Sequence, residues 1–201
     1  MEIRVFGEQH ECDWWLSTET TLPPLNRLLS IILYSDATTL DGLGKTSGHP
    51  VFLTLGNLPS TTRNLPDSKV LLGFLPKIQD NMIKTTEVFR SFQRGIYHKC
   101  LEIMLGPLLH KSDALYFAVE GRPMIFAARI SVFLADMLEA DEVTATYKAA
   151  RCKMPCHNCM VLRDNLNNIP RTPENMQQVI SEGRSKDFSV HNLENVFWKF
   201  S

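Results

Sequence analysis

Short apolar runs separated by polar, glycine and proline residues fill the first third of the chain. Residues 31–34 (IILY) are bounded by serines, a pattern typical of a short strand that is buried on both faces. The turn-forming stretch at 42–50 precedes "VFLTL" at 51–55, whose alternation predicts a second strand. "KVLLGFLP" predicts a third strand, which Pro76 closes. Three successive strands with loops between them indicate a meander.

The spacing of apolar residues then changes from that of a strand to that of a helix. Intervals of three and four residues place five side chains on one stripe: Phe89, Phe92, Ile96, Cys100 and Ile103. Cys100 is therefore predicted to be a core residue rather than a metal ligand. Gly106 and Pro107 are expected to end the helix.

Two further apolar runs, at 114–119 and 123–135, flank "EGR" and predict a strand, a turn and a strand that ends at Asp136. A helix is predicted at 138–150. Three strands, an amphipathic helix and a further strand are the opening order of the α/β ribonuclease H-like fold, which has a mixed sheet. In that fold the first and fourth strands lie side by side, so residues at their ends meet.

The chain is predicted to have three parts. Residues 1–28 form a leading segment, because the prolines of "LPPL" end any regular element before the first strand. Residues 29–150 form a partial ribonuclease H-like core. Residues 151–201 contain a cysteine-rich motif and a polar tail.

The composition is that of a soluble globular protein, with 201 residues, 44% apolar and 21% charged. No apolar run approaches the roughly 18 residues that cross a bilayer, and the N-terminus lacks the apolar core of a signal peptide. The chain is therefore expected to be intracellular and not in a membrane. A formal net charge of −1 argues against free-standing nucleic-acid binding, because Lys and Arg supply most of the affinity for phosphates.

Two aspartates stand where apolar strands break into polar residues, Asp36 in "SIILYSDATTL" and Asp136 in "ISVFLADMLEADEV". Phosphodiester cleavage without a covalent intermediate uses two divalent cations about 4 Å apart, and hard cations such as Mg²⁺ take carboxylate ligands. Asp36 and Asp136 would supply the bridging and anchoring carboxylates. Alternatively, each is a turn residue whose side chain accepts hydrogen bonds from nearby backbone N–H groups. The sequence leaves both interpretations open.

A two-cation site normally needs a third carboxylate, and no pattern selects one here. Three candidates lie close to Asp136 on the predicted helix, and three lie in the tail. They are Glu139, Asp141, Glu142, Glu174, Glu182 and Glu194.

A zinc site is predicted from "CKMPCHNC", which contains Cys152, Cys156 and Cys159, with His157 inside the second interval. Thiolates and imidazole suit Zn²⁺, and C-x-x-C is the usual half of a tetrahedral structural site. His157 is adjacent to Cys156, so strain opposes the binding of both to one ion, and His191 is an alternative fourth ligand. Thiols that bind no metal are the competing interpretation.

Several blocks of the chain together resemble a known group of proteins. The blocks are "VFGEQHECDWW", "IILYSDATTLDGLGKTSGHPVFLTLGNLP", "VLLGFLPKI", "GRPMIFAARISVFLADMLEADEV" and "CHNCMVLRDNL" followed by "RTPENM". In this order they resemble the Plavaka-type transposases of the fungal Kyakuja, Dileera and Zisupton DNA transposons. The resemblance covers residues 3 to about 176.

This resemblance implies a cut-and-paste DNA transposase with a ribonuclease H-like core, an acidic triad and a two-ion Mg²⁺ site. Asp36 is similar to the first acidic residue of the family and Asp136 to the second, and the cysteine pair to the motif that follows it. Transposon-end DNA is the implied partner and the nucleus the implied location. Assembly into a homo-oligomer is a further option.

Members of this family are several times longer, with a DNA-binding region before the core and an insertion plus the third acidic residue after it. The chain is therefore expected to be a truncated core, with 151–201 as the start of the insertion, and inactive as a transposase on its own. The competing hypothesis is a zinc-binding module that contacts DNA or protein without catalysis. A globular domain without retained activity is the third.

Overall fold

The computed structural model describes residues 7–39, 47–76, 78, 87–143 and 162–164. These residues divide into two compact units. The first contains the described residues up to 76 together with 100–134, and the second contains 78, 87–99, 135–143 and 162–164. The strands are β1 (Arg27–Ser35), β2 (Thr38–Thr39), β3 (Ser47–Leu55), β4 (Val70–Leu75), β5 (Leu115–Val119) and β6 (Arg122–Leu134). The helices are α1 (Asp13–Glu19), α2 (Ser60–Arg63), α3 (Glu87–His110) and α4 (Met137–Val143).

The six strands form one mixed sheet in the first unit. β1 pairs antiparallel with β3, and β3 pairs antiparallel with β4, which is the predicted meander. β6 pairs parallel with β1, and the hairpin strand β5 lies antiparallel on the outer side of β6. The predicted α/β class with a mixed sheet is therefore confirmed, as is the pairing of the first strand with the strand that precedes Asp136.

The core of the first unit is centred on β1, which has a sheet neighbour on each side. Leu28, Ile31 and Leu33 of this strand are at most 2% exposed, and Val51 of β3 and Ala127 of β6 are fully buried. A central strand that is covered on both faces favours an almost continuous apolar sequence, which explains why "LLSIIL" shows little alternation. None of the helices in the described ranges is long and apolar enough to cross a membrane.

Several predicted strand boundaries were wrong. β1 begins at Arg27, inside the predicted leading segment, and β6 ends at Leu134 rather than Asp136. β3 begins at Ser47, so residues 47–50, predicted as a turn, are strand. Their partners are provided by β2 on one side and β4 on the other, and pairing across the sheet outweighs the local turn preference of glycine and proline.

The predicted end of the long helix was also wrong, because α3 continues through Pro107 to His110. Proline keeps φ within the helical range, but it removes the hydrogen bond to the carbonyl of Ile103, and its ring crowds that carbonyl. Leu105, which is fully buried, anchors the same turn. A proline three residues before the end of α3 therefore does not stop the helix.

The buried stripe of α3 differs from the predicted one. Phe92 and Ile103 are 56% and 67% exposed, whereas the buried positions are His98, Leu101 and Leu105. These three are again spaced by three and four residues, so the period was right and the register was wrong. Because one position on the stripe is a histidine, a count of apolar residues favours the other face. Cys100 has intermediate exposure, and burial raises the pKa of its thiol.

Burial of His98 predicts a pH-dependent stability. Desolvation lowers the pKa of its imidazole, and a hydrogen bond to the backbone of Glu142 opposes this only partly. Because histidine in the unfolded chain has a pKa of about 6.5, the unfolded state binds the proton more readily. The contribution of His98 is therefore fully present above that pH and is lost as the pH falls below it. Urea titrations at pH 7.5 and 5.5 should show a lower free energy of unfolding at pH 5.5.

The part of this decrease that belongs to His98 should be missing in His98→Gln. It cannot exceed about 1.4 kcal/mol per pH unit for one proton. His110→Gln, which changes an exposed histidine of the same helix, should keep the wild-type decrease. Equal decreases in the wild type and in His98→Gln would contradict the prediction.

Candidate functional site

Asp36 lies directly after β1, and its side chain is exposed. Its Oδ2 accepts a hydrogen bond from the Tyr34 hydroxyl at 3.2 Å. Desolvation raises the pKa of Tyr34. The hydrogen bond to Asp36 and the negative charge of the Asp36 carboxylate raise this pKa further. A protonated Tyr34 therefore remains a donor that orients the Asp36 carboxylate.

The sheet itself explains why the strand breaks at Asp36. β1 and β2 pair with β3 in one continuous register, which places Pro50 opposite Asp36. Gly56, which directly follows β3, donates its N–H to the Ser30 carbonyl of β1 at 2.8 Å. Counting back from Gly56, every second residue of β3 directs its N–H toward β1. Pro50 occupies such a position and has no N–H to donate. Asp36 and Ala37 therefore leave the ladder before β2 resumes it.

Asp136 starts α4. Its Oδ1 accepts a hydrogen bond from the Glu139 N–H at 2.8 Å, and its main-chain carbonyl accepts one from the Ala140 N–H at 2.9 Å. These bonds are those of a helix N-cap, a role for which aspartate is among the preferred residues. The side chain is nevertheless exposed. Asp136 thus has the structural role that the turn interpretation requires, and the cap bond engages one of its two carboxylate oxygens.

The side chain of Glu139 is buried, unlike that of Asp136. Its side chain is 6% exposed, and Oε1 accepts a hydrogen bond from the Tyr97 hydroxyl of α3 at 3.1 Å. The sequence provided no signal for Tyr97. It did contain a signal for the cap, because an aspartate followed three residues later by a glutamate marks the start of a helix.

The chain around Ser30 ties the middle of β1 to three other segments. The Ser30 hydroxyl donates to Gln9 Oε1 at 2.7 Å, and Ser131 Oγ of β6 lies 2.8 Å away. The Asn57 amide accepts from the Ser30 N–H at 2.9 Å and donates to the Leu28 carbonyl at 2.8 Å. An amide side chain thereby takes the place of a strand partner, which fixes the position of β1 in the sheet.

The leading segment is held by an ion pair as well. Glu8 Oε1 accepts from the Ser60 N–H at 2.7 Å, and Glu8 Oε2 lies 3.4 Å from Arg63 Nη2. Arg63 also donates to the carbonyls of Gly56 and Leu58. Hydrogen bonds from Ser60 and the positive charge of Arg63 lower the pKa of Glu8, although burial opposes them. The blocks "GEQHE" and "GNLP" are therefore parts of one network in the first unit.

The family model for Plavaka transposase matches residues 1–200. The chain belongs to the Plavaka transposase family. The predicted resemblance to this family is confirmed. No curated protein matches the chain.

The family match includes the aspartates and the cysteine motif, but the structure describes only some of these residues. Among the described residues, no group of three or more His, Cys, Asp or Glu side chains is arranged to hold a metal ion. The zinc-site residues lie outside the described residues, and so do some of the third-carboxylate candidates. These residues are Cys152, Cys156, His157, Cys159, His191, Glu174, Glu182 and Glu194. Zinc binding by this Plavaka family chain stays a prediction.

Asp36 and Asp136 have donor chemistry that fits Mg²⁺ in this Plavaka family chain. Both are exposed carboxylates, and hard divalent cations take oxygen ligands. The last partners in the pairing of β1 with β6 are Tyr34 and Leu134, and each aspartate comes two positions later in the sequence.

Proposed function

We propose that this chain carries the catalytic aspartates of a DNA transposase whose chemistry is Mg²⁺-dependent cleavage and joining of phosphodiester bonds on a ribonuclease H-like sheet. The observation that supports the proposal best is the parallel pairing of β1 with β6. The register shifts by one residue between Ile31 and Ile32, and the pairing then continues to Tyr34 and Leu134. Asp36 and Asp136 each follow two positions later in the sequence. Membership of the Plavaka transposase family supports DNA as the substrate.

Neighbouring residues orient each of the two proposed ligands. Pro50 has no N–H to donate to the main chain at Asp36, so the backbone leaves the ladder there, and the Tyr34 hydroxyl orients the Asp36 carboxylate. The first turn of α4 orients Asp136 by a cap bond to Oδ1. The carboxylate oxygens that these bonds leave over are Asp36 Oδ1 and Asp136 Oδ2, and they are the ones that would bind a divalent cation. A bound divalent cation would activate the attacking water or hydroxyl and stabilise the leaving oxygen.

The proposal is tested first by cation binding and then by cleavage. Electron paramagnetic resonance of free Mn²⁺ measures how much of this ion the 201-residue chain removes from solution. Supercoiled plasmid DNA reports single-strand nicking, which is a simpler step than complete transposition. We expect Mn²⁺ binding that Mg²⁺ competes away, and slow nicking that requires Mg²⁺ or Mn²⁺.

Two controls make the test specific. EDTA should stop the nicking, and a preparation of Asp36→Asn purified in the same way should reveal any contaminating nuclease. Nicking that continues in EDTA, or a wild-type chain that removes no Mn²⁺ from solution, would contradict the proposed function.

A further inference from the structure

Glu139 is an unusual member of the acidic stretch that begins at Asp136. Among the side chains that the structure describes, it is the one acidic residue in the buried class, with 6% exposure. A buried carboxylate needs a hydrogen-bond donor, because its loss of hydration is otherwise uncompensated. The Tyr97 hydroxyl supplies such a donor at 3.1 Å from Oε1.

The same residue is bonded to Asp136 through its main chain. The Glu139 N–H donates to Asp136 Oδ1 at 2.8 Å, so the position of Glu139 determines where this carboxylate oxygen is held. One residue therefore connects Tyr97 on α3, by its side chain, with Asp136 at the start of α4, by its backbone. All three residues belong to the second compact unit.

We infer that Glu139 and Tyr97 are positioning residues for Asp136. The Tyr97–Glu139 hydrogen bond holds the first turn of α4 against α3, and this turn fixes Asp136 with Oδ1 in the cap. Oδ2 would then be the oxygen that binds a divalent cation. This inference rests on the proposed function, because it assigns the role of neighbours to a proposed ligand. It also removes Glu139 from the candidates for the third metal-binding carboxylate, since its side chain is buried and bonded to Tyr97, whereas Asp36 and Asp136 are exposed.

Substitutions at Glu139 separate a positioning residue from a ligand. Glu139→Gln retains an oxygen that accepts from Tyr97 and leaves the backbone N–H unchanged, so Mn²⁺ affinity should stay within about twofold of the wild type. Glu139→Ala loses the bond to Tyr97, and the affinity should fall about tenfold, the lower range for changes to groups that orient metal ligands. A cation ligand would instead lose as much affinity in the glutamine variant as in the alanine variant.

Tyr97→Phe provides a milder second variant in case Glu139→Ala does not fold. It removes only the hydroxyl, and we expect a several-fold loss of Mn²⁺ affinity together with faster hydrogen exchange at the amide of Glu139, which donates the cap bond. Near-ultraviolet circular dichroism verifies that each variant is folded. Wild-type Mn²⁺ affinity in folded Tyr97→Phe and Glu139→Ala would overturn the positioning role.

The outcomes also separate this inference from the proposed function. If the wild type binds Mn²⁺ and Asp136→Asn does not, the proposed ligand is supported, and the Glu139 variants then test the positioning role alone. Equal losses in Glu139→Gln and Glu139→Ala would overturn the positioning role while the proposed function stands. A wild-type chain that binds no Mn²⁺ would overturn both.

Discussion

Asparagine at position 36 or 136 is expected to weaken Mn²⁺ binding by at least about tenfold and to lower metal-dependent nicking about 100-fold. Each substitution replaces one carboxylate oxygen by an amide nitrogen and removes a negative charge that a hard cation requires. A displacement of about 1 Å at a catalytic centre costs on the order of 100-fold in rate, and the loss of a ligand is at least as disruptive. Calorimetry or resonance titration measures the first effect, and plasmid nicking the second.

The choice of asparagine separates the two interpretations that the sequence leaves open. Asparagine caps a helix about as well as aspartate, so Asp136→Asn preserves the start of α4. In Asp36→Asn the amide oxygen still accepts a hydrogen bond from Tyr34. If the two aspartates serve only as turn and cap residues, both variants should behave like the wild type.

A matched control is available in the first unit. Asp67→Asn makes the same chemical change at an exposed residue of the 3-10 turn Pro66–Ser68, away from the ends of β1 and β6 in sequence. It should leave both Mn²⁺ binding and nicking unchanged. A wild-type result for one of the two site variants would exclude that residue from the cation site, and wild-type results for both would exclude the proposed mechanism.

A strand could be predicted from the sequence where burial gives it a continuous apolar run. β1 lies between two sheet neighbours, and its apolar run is therefore visible without knowledge of any partner. The N-terminal half of β3 was not predictable, because Ser47–Pro50 pair with strands that are distant in sequence or contain few apolar residues. In that stretch the partners, and not the local propensities, decide the conformation.

The buried face of α3 was also not predictable from the local sequence. The 3.6-residue period located α3, but the buried register depends on which face the rest of the protein covers. That face contains His98, which is 4% exposed, whereas the apolar Phe92 and Ile103 face solvent. Because a desolvated histidine is compatible with a core position, residue type did not identify the buried stripe.

Within the candidate site, sequence reasoning selected the two proposed ligands and missed the residues that position them. Asp36 and Asp136 stand out because polar residues end apolar runs. The role of Pro50 depends on the register between β1 and β3, and that of Tyr97 on the contact between α3 and α4. Neither relation has a local pattern in the sequence.

Gly56→Ala is expected to lower the free energy of unfolding by about 2 kcal/mol, within the range for overpacked sites. A Cβ at this position would overlap Gln9 Oε1 and would lie 2.5 Å from Ser30 Oγ. Gln9 is a flexible side chain and would move away, but this movement breaks its hydrogen bond to Ser30. Ser30 belongs to the central strand, so its backbone has little freedom to yield. Urea denaturation measures the change.

Gly95→Ala is the matched control for this change, because a Cβ at Gly95 meets no atom within 4 Å. Gly95 lies in the interior of α3, where alanine is favoured over glycine by up to about 1 kcal/mol, so this variant should be as stable as the wild type or more stable. The double variant Gln9→Ala, Gly56→Ala should be more stable than the two single changes predict by addition, because truncation of Gln9 removes part of the overlap. Simple additivity, or a Gly56→Ala chain within about 0.5 kcal/mol of the wild type, would show that the Gln9–Ser30–Gly56 contact does not constrain β1.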